Sequence, residues 1–392
     1  SSDVCSSDLF FYLISSIDYV CSSPLAHAPP PKGAKLISVS LFLRHGIRTP
    51  SNEWLHGDEL GQWYCDSEDS YSPRYYFSTV DNASRRYFNQ MDYKLMKFPP
   101  TCQVGDLLIQ GMEQHYELGK YMQKYYGEEL RFIPKLLNRS LLGLRSSFIE
   151  RTFRSGEAFM EGLYPPAVPN ELIEFETGTQ TTDPLYVLTN NCEELNEDYN
   201  VFVKSEEFIR RRDNAKVLYA PIYEKNNRKF DGFDWLFVGD FIASYICSGN
   251  ALPSYVTDEM IVQSRKDIAF LSYGLFNITK GRAASPVLRE YFRNTDQQLE
   301  GKTDKRFWLY SAHDTTIISL LELFGNYDDA LPPFRSHLAI EIWEKSDGKK
   351  YVRFDYNGDL VKFDIFNGKT FVEYNEFKKK LQPYLNYCKE FE

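Results

Sequence analysis

Long apolar runs are missing from this chain of 392 residues: no stretch of 18 apolar residues occurs, so no membrane-spanning helix is expected. Cations are also in short supply. Lys and Arg total 45 against 55 Asp and Glu, a net charge of −10, which argues against a nucleic-acid partner because such proteins need a basic footprint to displace counterions. Cysteine is sparse, and no two cysteines form a C-x-x-C pair, so a cysteine-ligated zinc site is not expected. Hydrophobic residues make up 43% and aromatics 16%, enough to bury a full core in one large domain or two.

The amino terminus reads as an impaired export segment. Leu9–Ile14 is a short apolar stretch and Ala26-His27-Ala28 has the small-x-small form of a cleavage site, but no Lys or Arg precedes them. Ser1–Asp8 repeats itself and has no evident role, so residues 1–28 are expected to lie outside the fold as signal or extraneous sequence. Three sequons, at Asn82, Asn138 and Asn277, agree with passage through a secretory lumen. Beyond residue 28 five cysteines remain, and an odd number leaves at least one unpaired. Cys65 and Cys102 lie near the two ends of a long polar and aromatic loop, residues 51–104, which a bridge between them would close.

The organising stretch is Lys35–Pro50. Lys35–Leu43 is apolar and β-branched enough for a buried strand, and it ends in Arg44, His45, Gly46 and Arg48, at the carboxyl end where α/β sheets bind ligands. Two planar guanidinium forks suit phosphate oxygens, and His45 between them is a candidate nucleophile. The plainer alternative is a strand end with two solvated arginines and a satisfied histidine. Periodicity predicts a helix over 106–126, stopped by Gly127, with His115 on its apolar stripe as a core histidine. A strand over 141–147 precedes a helix reaching Leu163. Arg151 stands near that helix start, where the dipole favours anions, and Arg154 competes with it. Residues 166–300 lose the strand–helix alternation and offer helices at Ser205–Asn214, Phe233–Cys247 and Asp258–Phe276. The strand Arg306–Ser311, followed by His313, Asp314 and a helix ending at Gly325, repeats the arrangement of the first element. A strand over Leu338–Glu344 and a hairpin with an Asn357-Gly358 turn complete the chain. His337 is read as structural and His56 as solvated. The expected fold is α/β: a mixed, mostly parallel sheet flanked by helices, formed by residues 29–165 and 301–392, with a smaller helical domain inserted at 166–300.

Arg44-His45-Gly46-x-Arg48-x-Pro50 and Ser311-Ala312-His313-Asp314-Thr315-Thr316 resemble the two signatures of the histidine acid phosphatases, branch 2 of the histidine phosphatase superfamily. Gly111–Gly119 is similar to the wording in the prostatic and lysosomal members, and the resemblance covers residues 36–50 and 105–388, loosely in the middle. It implies phosphate monoester hydrolysis through a phosphohistidine on His45. Arg44, Arg48, Arg151 and His313 would surround the phosphate, and Asp314 would protonate the leaving group. It implies no metal and no cofactor. It favours Arg151 over Arg154, because relatives carry their phosphate-binding arginine just before Thr-x-x-Ser.

Relatives commonly have Asp where this chain has Ile47, and a capping Thr where it has Leu108, a role that Asp106 is expected to take. They also pair a cysteine near Cys247 with one where this chain has Ser336, so Cys247 is expected to be unpaired and Cys192–Cys388 bridged. The implied partners are a small phosphate monoester or a phosphoprotein, with a homodimer left open, and the implied location is secreted or a lysosomal or vacuolar lumen. Two alternatives remain: a phosphomutase, which the export features and the Ser-Ala-His-Asp motif disfavour, and a non-catalytic phosphate-ligand binder, which has no need of both His45 and Asp314.

Overall fold

The apolar run before the Arg-His motif forms the central strand, β1 (Ala34–Arg44), whose residues are buried from Ser38 onward. In this computed structural model the described residues are 19–54, 61–66, 98–167, 171–186, 192–232, 234–326 and 330–389. Cys5, His56, Asn82 and most of loop 51–104 lie outside them. Seven further strands follow: β2 (Leu142–Ser146), β3 (Glu176–Thr177), β4 (Phe307–Ala312), β5 (His337–Lys345), β6 (Lys350–Tyr356), β7 (Asp359–Leu360) and β8 (Val372–Glu373). They build one mixed sheet in the order β3-β2-β4-β1-β5-β6-β7, with β8 also on β6. The pairings divide at β1. It lies parallel to β4, which is parallel to β2, and antiparallel to β5 on its other side. Asn357 and Gly358 both take positive φ between β6 and β7, the backbone that a tight two-residue hairpin requires.

Both sheet faces are covered, as a parallel centre demands. On one face Val39, Leu41 and Leu43 pack with Leu118 and Met122 of helix α1 (Ile109–Met122) and with Phe159, Met160 and Leu163 of α2 (Glu150–Leu163). These helices touch backbone to backbone. A Cβ on Gly119 would stand 2.1 Å from the Phe159 carbonyl oxygen, and one on Gly162 would stand 2.0 Å from that of Tyr116. The other helices are α3 (Glu193–Phe202), α4 (Glu206–Leu218), α5 (Ala220–Lys225), α6 (Trp235–Ser248), α7 (Asp258–Ile278), α8 (Ser285–Leu299), α9 (Asp314–Leu323) and α10 (Tyr374–Leu381). The second sheet face carries α8, α9 and α10, with Phe42 stacked on Tyr310 at 4.4 Å in the middle of that core. A separate aromatic core joins α4, α5, α6 and α7 to Ile47, Trp54 and Trp63.

Four expectations are corrected. Cys247 is not unpaired: it bridges Cys21, alongside the expected Cys65–Cys102 and Cys192–Cys388 bonds. Its partner sits in the stretch assigned to the export segment. That assignment also fails for residues 19–28, which are bound into the fold. The Ser23 amide donates to the Phe334 carbonyl at 3.1 Å, His27 contacts Glu341 at 2.8 Å, and the Ala28 amide donates to Asp355 Oδ2 at 2.6 Å. Asp106 does not cap α1. Its carboxylate accepts from the Gln103 amide, and Leu108 occupies the cap position without a side-chain bond. Nor does Gly127 stop the helix, because α1 runs on into a π-helical segment, Gln123–Glu129, where Gln123 Nε2 donates to the Leu163 carbonyl at 2.8 Å.

Non-reducing peptide mapping should recover a Cys21 peptide cross-linked to a Cys247 peptide. A freely alkylated Cys247 in the folded, unreduced protein would contradict the pairing.

Candidate active site

β1 and β4 are parallel neighbours with Arg44 opposite Ala312, so the residues that follow, His45 and His313, emerge side by side at the carboxyl edge of the sheet. Their rings lie 5.8 Å apart, and β2 ends beside them at Ser147, whose Oγ is 2.9 Å from His313 Nε2. Gly46 is needed for a close approach: a Cβ there would fall 2.3 Å from the Gly111 carbonyl oxygen of α1. The turn is held by the Gly46 amide donating to Ser155 Oγ at 3.2 Å and the Ile47 amide donating to Gln114 Oε1 at 3.0 Å. Behind it His115 is buried against the Arg44 and His45 backbone, as a core histidine should be, and burial brings its pKa down to about 3.

Because the Gly46 carbonyl can only accept, its 2.9 Å contact with His45 Nδ1 places the proton on Nδ1 and leaves the lone pair on Nε2. The ring also stays neutral. Burial, followed by the charges of Arg151, Arg48 and Arg44, holds the His45 pKa well below its ordinary value, and the same causes act on His313.

Arg44 and Arg48 are each positioned by a different carboxylate. Arg44 Nη2 meets Asp314 Oδ2 at 2.9 Å, its Nη1 donates to the Pro332 carbonyl, and its guanidinium lies 4.3 Å over the Phe334 ring. Arg48 donates to both carboxylate oxygens of Asp240, at 2.6 and 3.3 Å. Burial opposes the charge on Arg48, but Asp240 overrides it and raises its pKa. Burial opposes Asp240 as well, and Arg48 overrides that and lowers its pKa. Arg151 has no carboxylate ion pair among the described residues: burial, then Arg48, brings its pKa down to about 10. Among the described residues the Nε–H of all three, Arg44, Arg48 and Arg151, has no hydrogen-bond partner. Buried charged donors of this kind are costly unless an anion completes them.

All six expected site residues, His45, Asp314, Arg44, Arg48, Arg151 and His313, therefore come together. Arg154 does not join them, because its Nη2 donates to the Cys65 carbonyl at 3.0 Å and contacts Met112 Sδ. Asp314 is the first residue of α9, and its Oδ1 accepts the Thr315 amide at 2.8 Å, so it also caps the helix locally. Sequence reading missed Asp240, Ser147 and Tyr186, the last packed on His313 with ring centroids 4.9 Å apart. A signal existed for Asp240: it is the sole charged residue in α6, Trp-Leu-Phe-Val-Gly-Asp-Phe-Ile-Ala-Ser-Tyr-Ile-Cys-Ser.

Comparison with known proteins places this geometry. The sequence model of the histidine phosphatase superfamily (branch 2) matches residues 35–357. Mouse (Mus musculus) prostatic acid phosphatase is 29% identical over 262 residues, which is 62% of this chain and 68% of that protein. The 2-phosphoxylose phosphatase 1 of Xenopus tropicalis is 25% identical over 368 residues, 86% of this chain and 70% of that protein. In fold, the chain is similar to Hafnia alvei phytase solved with tartrate: the TM-score is 0.61 at 13% identity, over 92% of this chain and 99% of that one.

Replacing Arg151 with Gln removes the largest charge that lowers the His45 pKa. The His45 titration, followed by imidazole NMR, should therefore move to higher pH while remaining below that of a free imidazole, because burial persists. An unmoved titration would show that Arg151 does not act on His45.

Proposed function

We propose a reaction from one premise: this chain belongs to branch 2 of the histidine phosphatase superfamily, and it is an acid phosphatase, a hydrolase of phosphate monoesters. In the proposed reaction His45 is the nucleophile. Its Nε2 lone pair attacks phosphorus in line, the P–O ester bond breaks, and Asp314 gives its proton to the departing alkoxide oxygen. Water then attacks the phosphohistidine, loses its proton to the Asp314 carboxylate and releases inorganic phosphate, which restores the neutral ring. Arg44, Arg48, Arg151 and His313 hold the phosphoryl oxygens, and the charge of the three arginines is set in place before substrate arrives, so it need not reorganise as the transition state forms. The observation that carries this reading is the set of three buried guanidinium groups that act on a neutral imidazole and whose Nε–H groups have no hydrogen-bond partner among the described residues.

The leaving alcohol fits a cavity of about 220 Å³ beside Arg44, lined also by Asp240, Ile268, Leu331 and Phe334. That size favours a small phosphate monoester over a folded phosphoprotein. Residues 166–300 act in this reading as an inserted helical cap, because their helix α6 supplies the Asp240 that fixes Arg48. Secretion, or a lysosomal or vacuolar lumen, suits three disulfides and the exposed sequon residues Asn138 and Asn277. No helix among the described residues is long and apolar enough to cross a membrane.

Hydrolysis of p-nitrophenyl phosphate at about pH 5 with EDTA present tests the reaction, and alkaline quenching during turnover tests the nucleophile. Wild type should yield an acid-labile, base-stable phosphoprotein, and His45→Ala should yield none and lose nearly all turnover. Equal trapping on both proteins would exclude His45.

The proton donor has its own test. General acids contribute about 10²–10⁴-fold, and most where the leaving oxygen is most basic. Asp314→Asn should cut the hydrolysis of alkyl phosphates far more than that of p-nitrophenyl phosphate. Loss by one common factor across a leaving-group series would leave Asp314 with only its helix-capping bond to Thr315.

A further inference from the structure

At the opposite edge of β1 from the parallel strands, two histidines and an aspartate converge in a place the phosphatase reaction does not use. His27 comes from the docked segment 19–28, His337 opens β5 and Asp355 lies in β6, and their side chains are buried. One ligand atom from each lies within 4.8 Å of the others.

Hydrogen bonding fixes how both rings are held. His337 Nε2 is 3.0 Å from the Ala26 carbonyl, which can only accept, so the proton is on Nε2 and Nδ1 carries the lone pair. His27 Nε2 is 2.8 Å from Glu341 Oε1, a carboxylate that Arg353 keeps charged from its other side, so here too Nε2 donates. Neither Nδ1 has a hydrogen-bond partner among the described residues. Two buried imidazoles thus present bare lone pairs, each ring oriented by a carboxylate or carbonyl on its far nitrogen. That is the outer-shell arrangement of metal-ligating histidines.

Protonation does not account for it. A proton on His27 would let Nδ1 reach Asp355 Oδ1, 3.6 Å away, but would leave His337 Nδ1 with nothing. A proton on Asp355 could serve one lone pair and not the other, and its oxygens already accept the Ala28 and Gly358 amides. A cation serves both rings and the carboxylate at once.

We infer that His27 Nδ1, His337 Nδ1 and Asp355 form a binding site for a borderline divalent cation of the zinc type, a structural clasp that fastens the segment 19–28 to the antiparallel edge of the sheet. Two imidazoles and a carboxylate are a donor set that zinc takes at about 2.1 Å, leaving a fourth position for water. Ligand atoms must then stand about 3.4 Å apart, so the His27–Asp355 pair at 3.6 Å is already nearly in place and the other separations, all within 4.8 Å, close by up to about 1.4 Å. The absence of C-x-x-C pairs in the sequence does not bear on such a site, because its ligands come from positions 27, 337 and 355.

The test uses the full-length, disulfide-intact protein, freed of metal by a chelator and then titrated with Zn²⁺ alone in the presence of saturating inorganic phosphate to block the catalytic histidines. One Zn²⁺ should bind per chain and raise the thermal midpoint. His27→Gln and Asp355→Asn should each weaken that binding tenfold or more while phosphatase activity without added metal persists. Co²⁺ in place of Zn²⁺ should give the intense visible absorption of a four-coordinate ion. No stoichiometric uptake, uptake that phosphate abolishes, or undiminished affinity in His27→Gln would each overturn the site. Should both variants fail to fold, the wild-type cobalt spectrum decides: the weak absorption of a six-coordinate ion would overturn it.

Discussion

Three guanidinium groups held together out of water repel one another, and much of this fold resolves that cost. Each of Arg44, Arg48 and Arg151 is raised in energy by burial, which disfavours the charged form, and the electrostatic influence of Arg48 reaches both of the others. Two carboxylates bring partial relief: Asp314 from the helix after β4, and Asp240 from a helix of the segment between α2 and β4. Arg151 has no carboxylate ion pair among the described residues, and Asp314 and Asp240 act on it only from a distance. The free protein therefore keeps an unspent demand for negative charge at one point, which is what an anion-binding site is in physical terms.

The same cation cluster decides the state of the imidazoles. A histidine in the open would be half protonated near pH 6.5 and a poor nucleophile in an acidic lumen. Burial and three neighbouring arginines hold His45 well below that value, so the ring keeps its lone pair as the pH falls. The Gly46 carbonyl then determines which nitrogen carries the lone pair. One glycine makes both effects available, since its missing Cβ lets the turn press against α1 and bring its own carbonyl round to the ring.

Much of this was legible in the sequence because it is local. β1, the helix carrying Arg151, and the strand–His–Asp–helix repeat at 306–325 are each specified by a run of adjacent residues, and the parallel pairing of β1 with β4 then unites their ends. What was not legible depends on partners far away in the chain. Asp240 reads as an oddity in an apolar helix until folding sets it 2.6 Å from Arg48, a residue 192 positions earlier. Cys247 reads as unpaired because Ser336 stands where relatives carry its partner, and Cys21, which pairs with it, lies in the stretch grouped with the export segment. The end of α1 was misjudged for a different reason. Gly127 would normally stop a helix, but Gln123 reaches across to the Leu163 carbonyl and the backbone slips into π geometry past the glycine.

The two carboxylates hold their arginines in different ways. Asp240 is tied to Arg48 through both oxygens and also accepts the Ser51 amide, so that pair is fixed by three bonds. Asp314 holds Arg44 by a single contact, in a region that excludes water and screens poorly, and an incoming phosphate oxygen can replace it. The cluster is therefore rigid on the side of Arg48 and exchangeable on the side of Arg44, which is where the cavity opens.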